Sequence, residues 1–215
     1  MFGPQVFLRL FVRINQDLWP WPLLAVLAGI LVPMLLLSQK SAPRRVALGL
    51  ASVALVTSGY GFLVGYFGPI NWPALWFGWG FVLQGVLLGS FMLFGGAPPS
   101  RWLDSKSAGY WLAGLWLAAV LALPWLTVAE SGDWKAVGLF GLAPGTTAAA
   151  GVLLAGSLPG FWRWLYLAVP FFWSLFSAAT FWSLQTWWLL GLPVATLILS
   201  FLAFRLSPSW ARSRG

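Results

Sequence analysis

Seven runs of predominantly apolar residues follow one another along the chain, each close to the roughly 20 residues a transmembrane helix needs. They are Leu18–Leu37, Val46–Phe67, Ala74–Phe94, Ala108–Val128, Val137–Ser157, Phe161–Thr180 and Trp187–Phe204. Charges, prolines and polar residues collect in the breaks between them, at Ser38–Arg45, Gly68–Pro73, Gly95–Ser107 and Ala129–Ala136. None of these breaks is long enough to hold a separate domain. The first 17 residues read differently. Phe7, Leu8, Leu10, Phe11 and Ile14 alternate with Arg9, Arg13 and Gln16 at helical spacing, which predicts a short amphipathic helix lying in the membrane interface. Its arginines and the lack of a small-residue cleavage motif argue against a signal peptide. The expected fold class is all-α: a polytopic helical bundle of about seven spans preceded by an interfacial helix. Residues 1–17 form the interfacial segment, 18–204 the membrane domain and 205–215 a basic tail.

Composition sharpens this picture. Sixty per cent of the 215 residues are hydrophobic and 7% charged, with mean hydropathy +0.84, against about 25% charged in soluble domains. That excludes a water-soluble globular domain and a disordered chain. There is no His and no Cys. Thiolate or imidazole metal ligation, iron–sulfur clusters, histidine-ligated haem, Ser-His-Asp chemistry and disulfides are therefore excluded.

The net charge of +8 is read as an insertion signal. With seven spans, Arg9, Arg13 and Lys135 fall on one side of the membrane. Lys40, Arg44, Arg45, Arg101, Lys106, Arg163, Arg205, Arg212 and Arg214 fall on the other. Nine basic residues against three make the second side cytoplasmic, with the N-terminus outside and the C-terminus inside. If the fifth run does not cross, the split becomes seven to five and the bias vanishes, which favours seven crossings. The expected location is a bacterial inner membrane, with membrane lipid as a partner and no nucleic acid.

Small residues recur four apart at Gly61 and Gly65, Gly85 and Gly89, and Gly141 and Gly145. In lipid, close backbone approach supplies packing energy, so these pairs predict tight contacts, within one bundle or with a partner. The 17 tryptophans cluster near the ends of the runs, as an interfacial aromatic belt does. Trp116 and Trp173 alone fall well inside. The excess of indoles on the outer side, Trp72 and Trp76 among them, could form a platform for a pigment, a quinone head or another subunit.

Ionisable groups near the membrane centre mark proton relays and ion carriers, and here there are none. Asp17, Glu130 and Asp133 sit at outer ends and Asp104 in a loop. A retinal Schiff base needs a late lysine, and none follows Lys135. What remains is neutral. Gln84 lies deepest, facing either a neighbouring helix or a ligand cavity. Asn71, before Trp72 and Pro73, reads as a helix cap. Leu142-Ala143-Pro144-Gly145-Thr146-Thr147 delays or breaks the fifth helix. Broken helices expose backbone that must line protein or a cavity. Either Pro144 starts a helix whose freed groups are tied up by Thr146 or Thr147, or the break holds a ligand. Tyr60, Tyr66, Ser174, Ser177 and Thr180 either line a weakly polar cavity or bond to backbone carbonyls.

These elements, taken in order, resemble a family of uncharacterised bacterial seven-helix membrane proteins, a domain of unknown function. The resemblance is carried by Ile14-Asn15-Gln16-Asp17-Leu18-Trp19-Pro20, by Ile70-Asn71-Trp72-Pro73 leading through Phe77-Gly78 to Leu83-Gln84-Gly85, by Phe140-Gly141 with Pro144 and Thr146-Thr147, and by Pro170-Phe171-Phe172-Trp173-Ser174. It departs where the family carries a Gly-His pair, here the stretch Ala129-Glu130-Ser131-Gly132-Asp133-Trp134-Lys135, where it carries a Cys in the Pro-Thr element, here Gly145, and where its acidic residue between helices six and seven stands as Thr186 or is absent. The resemblance implies seven helices and no known activity.

Taken together, the sequence points to a non-catalytic membrane protein, an accessory or structural subunit of a larger complex. The alternative is a permease for a small neutral or apolar solute. A lipid-acting enzyme would need Asp17, Glu130 and Asp133 to meet. No cofactor motif is evident, although lipid, quinone or pigment held by apolar contacts leaves none. The candidate ligand or partner contacts are Asn71, Trp72, Trp76, Gln84, Pro144, Thr146, Thr147 and Trp173.

Overall fold

An apolar run that cannot reach water must satisfy its own amides, and the helix is the local solution. The computed structural model describes residues 3–94, 106–158 and 160–205. Arg101, Trp102, Asp104 and the tail from 206 to 215 lie outside these. The described residues order as α1 (Pro4–Asp17), α2 (Trp21–Leu36), α3 (Ser41–Val56), α4 (Pro73–Leu93), α5 (Lys106–Leu121), α6 (Trp125–Ser131), α7 (Pro144–Gly151), α8 (Gly160–Ser183) and α9 (Gly191–Arg205), with no strand among them. Four helical stretches are long and apolar enough to cross a membrane: Ser41–Phe67, Pro73–Leu93, Ser107–Ser131 and Gly160–Ser183. A fifth arises if α1 and α2, which meet at 95°, count as one bent span. The expected segments one, five and seven are therefore shorter or broken as single helices.

Each difference has a local cause. The first segment starts at Trp21 because Leu18–Pro20 turn the chain between α1 and α2. The α1 helix buries Phe7, Leu8, Phe11 and Ile14 and leaves Arg9, Arg13 and Gln16 exposed. Its apolar face packs into protein. The Phe7 ring meets Phe62, Phe67 and Phe181, and Phe11 stacks on Phe62 at 4.7 Å. Beyond Val56 the second segment widens into eleven residues of π-helix, Thr57–Phe67, a winding that is otherwise rare and short. The fourth segment breaks at Pro124, which lacks the N–H to continue α5, and α6 resumes at Trp125.

The fifth segment departs most. Val137–Ala143 is non-helical, α7 supplies eight helical residues, and Val152–Ser157 tightens to a 3₁₀ helix. From Phe140 to Leu158 every residue is buried except Gly145, which is half-buried. The composition explains how. Ala143, Ala148, Ala149, Ala150, Gly151 and Ala155 present almost no side chain, so neighbouring helices close around the segment on all sides. It begins beside Thr127, whose hydroxyl accepts the Gly138 N–H at 2.8 Å. It ends beside Arg163, whose guanidinium reaches the Leu158 carbonyl at 3.4 Å.

The glycine pairs behave unequally. A Cβ on Gly85 would meet Val56 Cγ2 at 2.6 Å and the Ser52 carbonyl at 2.8 Å, and one on Gly89 would meet Ser52 Oγ at 3.0 Å. Gly145 would meet Leu192 at 2.9 Å, and Gly141 has φ +81° with Ala54 at 3.3 Å. Gly61 and Gly65 have no such neighbour, and Gly65 lies at the surface. The close approach on that stretch falls at Gly59 instead, where a Cβ would lie 2.6 Å from the Gly78 carbonyl.

Candidate functional site

Two helices carry a proline in their interior, Pro33 in α2 and Pro170 in α8. A proline has no N–H, so the carbonyl four residues earlier loses its helical partner. The carbonyls freed are Gly29 and Tyr166. In lipid an unmet carbonyl is costly, so a neighbouring element must supply a donor. At Gly29 the donor is Trp116 Nε1 from α5, at 2.8 Å, with the indole wholly buried. At Tyr166 it is Gln84 Nε2 from α4, at 2.6 Å, with Gln84 only 3% exposed. The amide can face only one way, since its oxygen could not meet a carbonyl. Gln84 Oε1 is then buried without a partner among the described residues.

Tyr166 extends this link. Its hydroxyl donates to the Gly151 carbonyl at 3.1 Å, at the end of α7. Gln84 is thus tied through Tyr166 to the buried fifth segment. Trp173 lies further along α8 against Phe77, Phe81 and Phe176. It is 3% exposed, and its Nε1 is also without a partner among the described residues. Ser174 spends its hydroxyl on the Pro170 carbonyl at 2.7 Å, Ser177 on Ser174 and Thr180 on Phe176. These hydroxyls bond to backbone.

The break in the fifth segment is held by threonines. Thr146 Oγ1 donates to the Gly138 carbonyl at 2.7 Å. Thr147 Oγ1 donates to Ala143 at 2.7 Å and accepts the Gly141 N–H at 2.8 Å. Thr127 Oγ1 donates to the Pro124 carbonyl while accepting from Gly138. Pro144 is buried at the first turn of α7, where its missing N–H costs nothing.

The remaining candidates sit apart. Trp72 and Trp76 point outward, 71% and 72% exposed. Asn71 makes no side-chain cap. Residue Trp72 precedes the first turn of α4, and Asn71 uses its backbone carbonyl to accept from Ala74. The Asn71 side chain borders a groove of about 460 Å³ with Phe176, Thr180 and Ser183. Asp17, Glu130 and Asp133 go to separate partners. Asp17 pairs with Arg13 at 3.3 Å and accepts from Tyr66 at 2.8 Å. Glu130 accepts the Trp188 N–H at 2.8 Å, and Asp133 the Lys135 N–H at 2.9 Å. Among the described residues no group of three or more His, Cys, Asp or Glu could hold a metal ion.

Sequence reasoning missed Tyr166, Trp116 as a donor, and Asn15, whose amide donates to the Lys135 and Val137 carbonyls at 3.0 and 2.9 Å. The orphan carbonyls follow from Pro33 and Pro170 once both are seen to lie inside helices. No protein-family model, no curated protein and no solved structure matches this chain.

Proposed function

We propose that this chain is a multi-pass protein of a bacterial inner membrane, without catalytic activity of its own, serving as a subunit of a larger membrane assembly. One observation carries this reading most. The interior polar side chains are largely spent on backbone groups, and the three outer carboxylates go to three separate partners. A general acid and base would need to converge. Indoles exposed at the ends of the apolar runs, Trp72, Trp76, Trp187 and Trp188 among them, suit contact with other subunits as well as with headgroups.

Seven crossings, with the N-terminus outside, belong to the same reading. The buried fifth segment starts beside Thr127 and ends beside Arg163. From Arg163 to the end of α8 is about 30 Å at 1.5 Å per residue. Glu130, one turn beyond Thr127, bonds the Trp188 backbone just past that far end. This supports a segment that traverses the bundle despite its broken winding. On this reading the interfacial role of α1 is limited to its exposed Arg9, Arg13 and Gln16 edge.

A second reading, a permease for a small neutral or apolar solute, is favoured by the broken fifth segment and by the buried, unpartnered Gln84 Oε1. Purification from the native membrane in mild detergent, followed by native mass spectrometry and an absorbance spectrum, separates the two. A defined set of foreign subunits supports the first reading. A lone monomer or homodimer without chromophore overturns it and directs transport assays at Gln84 variants.

A further inference from the structure

Where α1 and α2 meet at 95°, they leave an elbow, and the returning stretch Trp134–Leu139 forms its third wall. The Asn15 amide pins that wall through the Lys135 and Val137 carbonyls. The groove has a volume of about 460 Å³. Its sides are graded in chemistry. Asn15, Gln16 and Lys135 are contiguous at one end. From there the floor runs down α2 through Leu23 and Val26 to Leu139. The indoles of Trp19 and Trp134 also line it and are 65% and 71% exposed.

We infer that this groove binds one anionic phospholipid, with an acyl chain along Leu23 and Val26 and the phosphate at Lys135. The inference rests on the chain being embedded in a membrane, but not on its being a subunit of a complex. Three features select an amphiphile of that charge. The trough is mostly apolar and only partly enclosed. Indoles flank it, and indole rings prefer the headgroup level. The Lys135 side chain is exposed, and among the described residues its ammonium has no carboxylate partner, since Asp133 takes the backbone N–H of the same residue. A lysine near the membrane surface attracts anionic headgroups.

The test uses the full-length protein in detergent, titrated with phosphatidylglycerol or with phosphatidylcholine of the same chains, and counts bound lipid by native mass spectrometry. One phosphatidylglycerol is expected to bind more tightly than phosphatidylcholine. Lys135→Gln should weaken it about fivefold, the size of one lysine's surface attraction, and Lys135→Arg should restore it. Val26→Trp fills the trough and should reduce phosphatidylglycerol binding at least about tenfold, the loss of several buried methylenes. If Val26→Trp does not fold, Leu23→Trp at the exposed edge makes the same test. Unchanged affinity in a folded groove-filling variant overturns the inference. So does displacement of the lipid by inorganic phosphate alone, which would mark a bare anion site. Crosslinking of a polypeptide, rather than lipid, to a photoreactive residue at position 23 in native membranes would assign the groove to a protein partner and also overturn it. Loss of foreign subunits on purification would sink the subunit reading and leave these outcomes untouched.

Discussion

The α2 and α8 helices meet the same difficulty with different side chains. Each carries an internal proline, and each has a carbonyl capped by a donor from another helix. At Gly29 the cap is an indole, which has one N–H and nothing else to satisfy. At Tyr166 it is a primary amide, which brings a second N–H and an oxygen. The indole site is closed. The amide site carries surplus capacity, visible as a buried Oε1 with no partner among the described residues. The contrast leaves an unspent buried polar atom beside α8 and none beside α2.

The largest expected effect breaks the closed site. Trp116→Ala removes the donor and a wholly buried ring packed on Phe140 at 5.4 Å. We expect a loss of about 3–5 kcal/mol, measured by thermal unfolding in detergent. Next comes the seat of the open site. Gly85→Ala places a methyl 2.6 Å from Val56 Cγ2 and 2.8 Å from the Ser52 carbonyl. It should cost about 1–3 kcal/mol, while Gly65→Ala, at the surface, should stay within about 0.5 kcal/mol.

Conservative changes then sharpen the comparison. Trp116→Phe orphans the Gly29 carbonyl and should cost about 1–3 kcal/mol. Gln84→Leu orphans the Tyr166 carbonyl but also removes an unmet oxygen, so it should cost less. Equal costs would mean that Oε1 is satisfied in the membrane and the two sites are alike. The smallest effect is a coupling. In Pro170→Ala a new N–H competes for the Tyr166 carbonyl, so Gln84→Leu should cost about 1 kcal/mol less there than beside Pro170. An additive double-mutant cycle would remove the proline from the explanation.

Much of this is legible in the sequence. The helical fold follows from apolar runs that leave no other way to satisfy the backbone. Gln84 stood out because it is the one amide deep in a long run, and Thr146 and Thr147 because they follow Pro144. Other features could not be read. The i−4 rule names Gly29 and Tyr166 as orphan carbonyls, but Trp116 and Gln84 come from distant positions that only tertiary packing brings near. The π-helical stretch looked like an ordinary helix, since its composition has no distinguishing period. Asn71 carried the right residue type for a cap and the wrong geometry, because Trp72 already occupies that place. The apolar face of α1 looked ready for lipid; that Phe62, Phe67 and Phe181 would cover it is a long-range fact.

The last point has a consequence for synthesis. The α1 helix is made before α8, yet one of the rings that seal its apolar face belongs to Phe181, 174 residues after Phe7. At about 5–20 residues per second, translation leaves that face incomplete for roughly ten seconds or more. During that interval Phe7 has Phe11, Phe62 and Phe67 beside it but not Phe181. The seat of Phe7 is thus complete only once the end of α8 has been made.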